Sequence, residues 1–493
     1  MVCGGWVYFG MMLVTLGLIF CCLNLPESKN VERASSTDKM HFRRRRSLSW
    51  HHQSSQHHNA ILSRDNSARL VTDRITDVLQ HPRVMELCNR PQEGATSDEG
   101  SDISGFKLNK VLVVVSPGQT MSTNRVSHLS SPRVDCDFQT YAKYSSVGKI
   151  QTFPEVVNIY KNVQMNKGRF KIFSMMPSRS FCDEGQLTPL GAMQQILIGE
   201  QLSKAYFKKL RILRKISRDS FLAAKSIPEE LAYQSASAFL HGFLNEKQFS
   251  QMYVEKSVYN FCKESRSTIC SCAKADFLKL QISKSVEKGY LLFKDEPVQD
   301  DEINDLLGFE RGDISPKQII SLLSGWLCDQ SSLPCRGNNC PNLTTANLNL
   351  LFESADSHIE AVSNNDIFAN FVKLHTRSFL SDVFHWLQSS EGEFLLYSAG
   401  ESFLSFLVTA LDIEQSRVLP LGSRLVFEVY SPASPRQQNK ARLRVLLNGK
   451  DVTHKVGLCS KSEGQLCELE KAYRIFESQS FNGRSYDEEC RSN

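Results

Sequence analysis

The sequence predicts an α/β fold, a core sheet with flanking helices, interrupted by an inserted and mainly α-helical cap. Two patterns predict the sheet. The apolar run Val111–Val115 leads directly into Ser116-Pro117-Gly118, as a buried strand does when it ends at a turn. A second apolar run, Phe394–Ala399, is followed by a helical pattern of apolar residues. Between the two runs the apolar spacing is mostly helical.

The expected organisation has five segments along the chain. The first two are N-terminal to the predicted core, and the other three are the two halves of the core and the insertion between them. They are a signal-anchor at 1–25, a low-complexity stem at 26–104, the first core segment at 105–201, the helical cap at 202–385 and the second core segment at 386–493.

The length and charge of the chain exclude one class of function. A chain of 493 residues is long enough for one large domain or two to three ordinary ones. The formal net charge is only +5, and much of it comes from Arg43–Arg46. A charge this small does not indicate binding to nucleic acid, and we expect none.

The N-terminus has the pattern of a membrane segment. No charged residue lies between Val2 and Leu23. At about 1.5 Å per residue, this stretch is long enough to cross a hydrocarbon core of roughly 30 Å. No Lys or Arg precedes the apolar run and no small-x-small site follows it, so we expect a retained anchor; a cleaved signal peptide is the alternative.

The stem is polar and has little apolar periodicity to hold a core. Its pairs His51-His52 and His57-His58 are explained more simply by a solvated tract than by a metal site, and we expect no metal. Arg43–Arg46 before Ser47 is a candidate processing site. Leucines and valines near the end of the stem indicate one helix, with Cys88 connecting it to the body.

The cysteines favour an oxidising lumen for the body. The basic residues after the anchor would favour the cytosol, but twelve cysteines outside the anchor suggest disulfides. Asn342 begins a glycosylation sequon. A zinc cluster at CSC, residues 270–272, is the alternative, and no tidy CxxC pair or nearby His set supports it. The disulfide candidates are Cys88, Cys136, Cys182, Cys262, Cys270, Cys272, Cys328, Cys335, Cys340, Cys459, Cys467 and Cys490.

The loop after the first strand resembles a phosphate-binding loop without its charged residues. In the histidine acid phosphatase family, a hydrophobic strand runs directly into Arg-His-Gly-x-Arg-x-Pro. Placed on that pattern, Ser116 stands for the first Arg, Pro117 for the nucleophilic His and Thr120 for the second Arg. Gly118 is the only motif residue of the Arg-His-Gly-x-Arg portion that is retained.

A second block resembles the same family and is intact. Gly185 to Gly191 matches the Gly-x-Leu-Thr-x-x-Gly segment that follows the first strand in these phosphatases. Thr188 is a candidate N-cap for the next helix, and Pro189 suits its first turn. Another phosphate-binding Arg of the family lies near a Gln-Ser pair. Around Gln234-Ser235 this chain has no arginine, only Glu229-Glu230-Leu231-Ala232.

The second predicted strand carries a further element of the resemblance. The family has Tyr-Ser-Ala-His-Asp at this point, and here Gly400 replaces the His and Glu401 replaces the acid that protonates the leaving group. The strands that follow, with a tight turn at Asn448-Gly449, also resemble this family. The resemblance therefore implies a substrate pocket formed by Ser116, Gly118, Thr120 and Glu401, in which no catalytic position is intact.

Two functions follow from this resemblance. The first is a pseudophosphatase in the Golgi lumen with a binding or scaffolding role in glycosaminoglycan linkage-region biosynthesis. Its partners would be glycan-primed core proteins or linkage-region glycosyltransferases, with no cofactor. The second is an active phosphomonoesterase that uses non-standard catalytic residues. Ser116 as a substitute nucleophile would need a base and an oxyanion site, and the sequence offers no adjacent His.

Overall fold

The computed structural model describes residues 78, 80–89, 97–121, 134–138, 148–168, 170, 173–176, 181–182, 185–210, 222–257, 272–287, 316–329, 343–434, 440–459, 465–479, 481 and 483–492. All of them lie in the compact unit Asn66–Asn493. The expected anchor, the arginine run, Asn342 and the cysteines 262, 270, 335 and 340 lie outside the described residues. No helix in the described part of the chain is both long and apolar enough to cross a membrane.

One mixed sheet forms the centre of the described unit. Its strand order is β3-β2-β4-β1-β5-β6-β7, and β8 pairs with β6. The first four strands in this order run parallel to one another, and the strands from β5 onward join by antiparallel pairing. The strands are β1 Phe106–Val115, β2 Leu222–Ser226, β3 Val254–Lys256, β4 Phe394–Ser398, β5 Arg424–Pro432, β6 Arg442–Leu447, β7 Lys450–Asp451 and β8 Cys467–Glu468.

Helices cover both faces of this sheet, and the predicted α/β fold is confirmed. The described helices are α1 Pro82–Cys88, α2 Gly148–Gly168, α3 Pro189–Tyr206, α4 Glu230–Phe243, α5 Glu246–Phe249, α6 Ala273–Glu287, α7 Pro316–Asp329, α8 Thr345–Ser363, α9 Asp366–Gln388, α10 Glu401–Ala410, α11 Leu469–Ser478 and α12 Tyr486–Arg491.

Strand β1 is buried on both faces, which explains its unbroken apolar sequence. Val111, Val113 and Val115 pack into a core with residues of α2, α3 and α4. Leu112 and Val114 point to the opposite face and pack with residues of α9, α10 and α11. Side chains alternate along a strand, so a central strand between two helical layers needs apolar residues at every position.

The region expected to be a helical cap also supplies some strands of the sheet. Strands β2 and β3 lie within residues 202–385, and β2 pairs in parallel with β4. The predicted cap was mainly helical, and these two short strands are the described parts of the segment that join the sheet instead. The sequence Leu-Ala-Ala-Lys-Ser of β2 has no β-branched residue, and its pairing with a neighbouring strand decides its conformation rather than its propensity.

Described residues before position 105 also pack against the rest of the unit. Helix α1 packs its residues Val84 and Leu87 into a core with α7 and α8. Further along the same segment, Glu99 is buried and forms a two-pronged ion pair with Arg424 of β5, with Nε–Oε1 and Nη2–Oε2 distances of 2.6 and 2.8 Å. The polar composition of this segment predicted a stem without a core. Composition alone does not show that a polar side chain such as that of Glu99 has a buried partner.

A second buried ion pair lies beside the first on the same sheet. Glu428 of β5 accepts hydrogen bonds from Tyr206 at 2.7 Å, Tyr430 at 2.8 Å and the backbone N–H of Gly100 at 2.6 Å. Arg444 of β6 lies 3.4 Å from the same carboxylate. Burial raises the pKa of Tyr206, which keeps its hydroxyl protonated as a donor.

The eight candidate cysteines that lie among the described residues form four disulfides. The pair Cys88–Cys328 joins α1 to α7, as the sequence predicted for Cys88 and the body. The other bonded cysteines are 136 with 182, 272 with 490 and 459 with 467. The predicted tight turn after β6 is confirmed, because Asn448 and Gly449 have φ of 50° and 82°, the left-handed values that such a turn requires.

We expect Glu99→Ala to destabilise the protein by about 3–5 kcal/mol, because it leaves the Arg424 guanidinium buried and without its carboxylate. Denaturant unfolding of the purified protein measures this loss. The matched control is Asp102→Ala, which removes the partner of Lys209 at a position where the Asp102 side chain is 96% exposed. The control should lose no more than about 0.5 kcal/mol. Equal unfolding midpoints for the two variants would contradict this account of the buried pair.

Candidate functional site

Three strand ends meet at one edge of the sheet. Val115 of β1 and Ser398 of β4 are paired in parallel, and the N–H of Ala399 donates to the carbonyl of Val115 at 3.0 Å. The end of β2 lies on the other side of β4, where Ile227 donates its N–H to the carbonyl of Ser398 at 3.2 Å. Ligands of α/β proteins bind where the loops leave the carboxyl ends of such strands, so this edge is the candidate site.

Ser116, the first residue after β1, is buried and held by internal hydrogen bonds. Its N–H and its hydroxyl both donate to the carbonyl oxygen of Ser423, at 2.8 and 3.2 Å. Its own carbonyl accepts from the side-chain amide of Gln195 at 2.9 Å. The single hydroxyl hydrogen therefore points to a carbonyl and not to a base, so the structure gives no support to Ser116 as a substitute nucleophile.

Pro117 is also buried and has no group that can attack or donate. Its carbonyl oxygen accepts the N–H of Gly422 at 2.8 Å. Together with the contacts of Ser423, this bond fixes the loop after β1 against the segment that leads into β5. The backbone of the loop is thus satisfied by the protein itself.

Gly118 is retained because no side chain fits at its position. A Cβ atom there would lie 2.2 Å from the carbonyl oxygen of Gly191, and a Cβ at Gly191 would lie 2.2 Å from the carbonyl oxygen of Gln119. The two intact motif glycines therefore allow the loop to contact the start of α3. Thr188 caps this helix by accepting the N–H of Gly191 at 3.1 Å, and Pro189 is in its first turn, so both predictions are confirmed.

Thr120 lies at the far end of the same loop. It is half-buried and forms a short antiparallel bridge with Leu187. Between it and Gly118, Gln119 is held on three sides: its N–H donates to Gln194 at 2.8 Å, its side-chain amide to Gly325 at 2.7 Å, and its side-chain oxygen accepts from Thr188 at 2.8 Å. Packing and backbone contacts therefore determine the conformation of this end of the loop.

Gly400 ends the loop after β4 and precedes α10. A Cβ atom at this position would meet only the Cδ1 of Ile227 at 3.4 Å and the Oε2 of Glu229 at 3.6 Å among the described atoms within 4 Å. The position therefore has room for a side chain. Glu401 is the first residue of α10, and its side chain lies outside the described part of the structure.

Glu229 is the site residue that sequence reasoning did not assign. Although the residue as a whole is exposed, partial burial of its carboxyl group raises the pKa of that group. The sequence did indicate this part of the chain as relevant. Glu229 lies directly before the helix that follows β2, in the neighbourhood where the family resemblance led us to look for a phosphate-binding arginine. A carboxylate thus lies next to the position where the resemblance places a histidine.

A small cavity of about 30 Å³ lies between the loop after β1 and helices α7 and α10. Among the described site residues that the sequence predicted, Ser116 and Pro117 line it, and Gly118, Thr120 and Gly400 do not. Its other polar residues are Ser321, Ser324, Ser405 and Gln415, and the rest of its wall is apolar. In the described part of the chain, no three His, Cys, Asp or Glu side chains are grouped to hold a metal ion.

Comparison with known proteins gives the same relationship as the motifs. No model of a protein family matches the chain. The chain is 24% identical over 419 residues to 2-phosphoxylose phosphatase 1 of Xenopus tropicalis, which covers 82% of this chain and 81% of that protein. It is 23% identical over 459 residues to 2-phosphoxylose phosphatase 1 of Homo sapiens, which covers 87% of this chain and 91% of that protein.

A solved structure has a similar fold. The multiple inositol polyphosphate phosphatase of Bifidobacterium longum, in complex with inositol hexasulfate, superposes with a TM-score of 0.50 at 11% identity and covers 84% of this chain and 100% of that one. The phytase from D. castellii covers 89% of this chain and 92% of that one, with a TM-score of 0.47 at 13% identity. The chain is therefore related to 2-phosphoxylose phosphatase 1 over most of its length and has the fold of the histidine acid phosphatases.

Proposed function

We propose that this protein is a catalytically inactive relative of the histidine acid phosphatases, with a binding function. The observation that supports this most directly is the loop after β1. Its residues Ser116 and Pro117 are neutral and buried, and their polar groups bond to the protein's own backbone at Ser423 and Gly422.

The chemistry of this fold needs groups that these positions lack. A phosphohistidine mechanism requires an imidazole that attacks phosphorus, and no atom of Pro117 is nucleophilic. Cationic groups that bind in a bidentate manner, such as arginine guanidinium groups, hold the phosphoryl oxygens and stabilise the charge that develops on them. Losing a single preorganised donor of this kind costs an enzyme about 10²–10³ in kcat. A loop in which Ser116 and Thr120 replace two such donors, and Pro117 replaces the nucleophile, supports no phosphoryl transfer.

The negative charge near Gly400 also disfavours phosphate binding. The nearest described carboxylate to this position is Glu229, 3.6 Å from where a side chain would begin. An ionised carboxylate there repels a phosphate dianion. The raised pKa of Glu229 means that this repulsion weakens as the pH falls toward mildly acidic values, but a protonated carboxyl still does not replace a cation.

The proposed setting is the Golgi lumen, with the body held by an N-terminal anchor at residues 1–25 or released after cleavage at Arg46. The relation to 2-phosphoxylose phosphatase 1 supports a role in the linkage region of glycosaminoglycans, and the four disulfides fit an oxidising compartment. In this role the protein binds glycan-primed core proteins or the glycosyltransferases that extend the linkage region.

We expect that the purified protein does not hydrolyse an aryl phosphate or xylose 2-phosphate at mildly acidic pH. Release of inorganic phosphate measures this, with 2-phosphoxylose phosphatase 1 of Homo sapiens run in parallel as the assay control. The rate of phosphate release by the variant Glu401→Gln serves as the background rate. Turnover by the unmodified protein clearly above that of Glu401→Gln would show that the site still catalyses and would favour the active phosphomonoesterase instead.

A rebuilt site should behave differently from a single replacement. We expect Ser116→Arg, Pro117→His, Thr120→Arg and Gly400→His together to gain trace turnover, because the set restores a nucleophile and two cations, and Gly400 has room for a side chain. Pro117→His alone should gain none, since it lacks the cations. Equal turnover of the single and combined variants would contradict this division of roles.

The compartment has its own test. If the body lies in the lumen, expressed protein should lose apparent mass on treatment with an endoglycosidase, and Asn342→Gln should remove that shift. Thr345→Ala is the control, because it lies outside the Asn-Leu-Thr sequon of residues 342–344 and should leave the shift unchanged. A wild-type protein without any shift, whose cysteines are labelled by thiol reagents without prior reduction, would place the body in a reducing compartment.

A further inference from the structure

The cavity beside Ser116 has a chemical character unlike that of a phosphate site. Every described residue in its lining is uncharged. Five side chains there are polar and neutral, and the remaining walls are apolar residues such as Ile320 and Leu421. Without a cation, this cavity offers a phosphate dianion no compensation for its lost hydration.

The directions of the hydrogen bonds made by the polar residues further restrict which ligands the cavity can bind. Ser116 donates its hydroxyl hydrogen to the carbonyl of Ser423 at 3.2 Å, and Ser324 donates to the carbonyl of Ser321 at 2.8 Å. Ser405 donates to the side-chain oxygen of Gln415 at 3.1 Å. A serine hydroxyl has one hydrogen to donate and two lone pairs to accept with. Each of these three oxygens has therefore used its hydrogen inside the protein and keeps lone pairs with which it can only accept.

Three hydroxyl acceptors select for a ligand that donates. A phosphate dianion has only acceptor oxygens, so it meets lone pairs at all three serines and no opposing charge. An alcohol hydroxyl has a hydrogen to give, and its carbon skeleton can pack against the apolar walls. A sugar without phosphate combines both properties.

The volume of the cavity limits how much of a ligand enters. About 30 Å³ is available, which at roughly 10–15 Å³ for each water-sized group leaves space for about two or three such groups. Two neighbouring hydroxyls on one edge of a sugar ring are groups of this size. The rest of the ligand would remain outside the cavity.

We propose that the cavity lined by Ser116, Ser324 and Ser405 binds the vicinal diol edge of a neutral saccharide. This proposal rests on the proposed function, since the cavity shares Ser116 and Pro117 with the loop that is proposed to be inactive. Glu229 reinforces the choice from outside the cavity, because its carboxylate disfavours an anionic ligand near the strand ends.

Ligand titrations of the full chain test this selection. With saturation-transfer NMR, D-xylose should bind saturably and xylose 2-phosphate should bind at least ten-fold more weakly. Among simpler probes, 1,2-cyclohexanediol should bind about five-fold more tightly than cyclohexanol, because one additional hydrogen bond corresponds to a factor of this order.

Serine variants locate the binding in the cavity. Ser324→Ala and Ser405→Ala should each weaken xylose binding about five-fold, because each removes one acceptor oxygen. The matched control is Ser478→Ala, which removes an exposed helix serine that donates to the carbonyl three residues earlier, as Ser324 does. Circular dichroism checks that all three variants keep the wild-type fold, and the ligand series tests the proposal without any variant.

The outcomes separate this inference from the proposed function. Tighter binding of xylose 2-phosphate than of xylose, or xylose binding that Ser324→Ala and Ser405→Ala leave unchanged, would overturn the inference. An absence of saturable binding by xylose and by the diol would also overturn it. None of these results would affect the proposed lack of catalysis, which fails only if phosphate ester is hydrolysed.

Discussion

The burial of β1 between two helical layers is the constraint on which the candidate site depends. The strand pairs with β4 on one side and with β5 on the other, and its side chains enter a core on each face. These contacts fix where the chain leaves the sheet at Ser116. They also bring the end of β4 beside it, since Val115 and Ser398 are paired. The pairing and packing of the strands therefore determine where the site lies in the fold.

This separation of packing from chemistry explains which motif residues remain. Gly118 and Gly191 approach each other so closely that a side chain at either position would overlap the other's backbone or that of Gln119. Thr188 caps the helix that makes this contact. These residues stabilise the fold of the loop. Gly400, in contrast, occupies a position with room for a side chain, because a Cβ atom there would meet its nearest described atoms at 3.4 and 3.6 Å.

Sequence patterns predicted the elements of the fold that depend on local order and continuous burial. β1, β4, α10 and the cap at Thr188 all follow from apolar runs or helix-start signals. Sequence patterns did not predict β2, because its five residues have little strand propensity and the strand depends on pairing with β4. They also missed the buried pair of Glu99 and Arg424, whose 325-residue separation leaves no local signal. Likewise, the proximity of Glu229 to Gly400 arises only when β2 and β4 lie side by side.

The central claim is that this site no longer holds a phosphoryl group, and vanadate tests it most directly. In phosphoryl-transfer enzymes, such an oxyanion is held by the cations and donors that stabilise the transition state. Isothermal titration of the purified protein with orthovanadate at mildly acidic pH should give no saturable heat, because Ser116, Pro117 and Thr120 supply neither cation nor nucleophile. Saturable binding that Glu401→Gln or Ser116→Ala changes would place an oxyanion at this site and contradict the account.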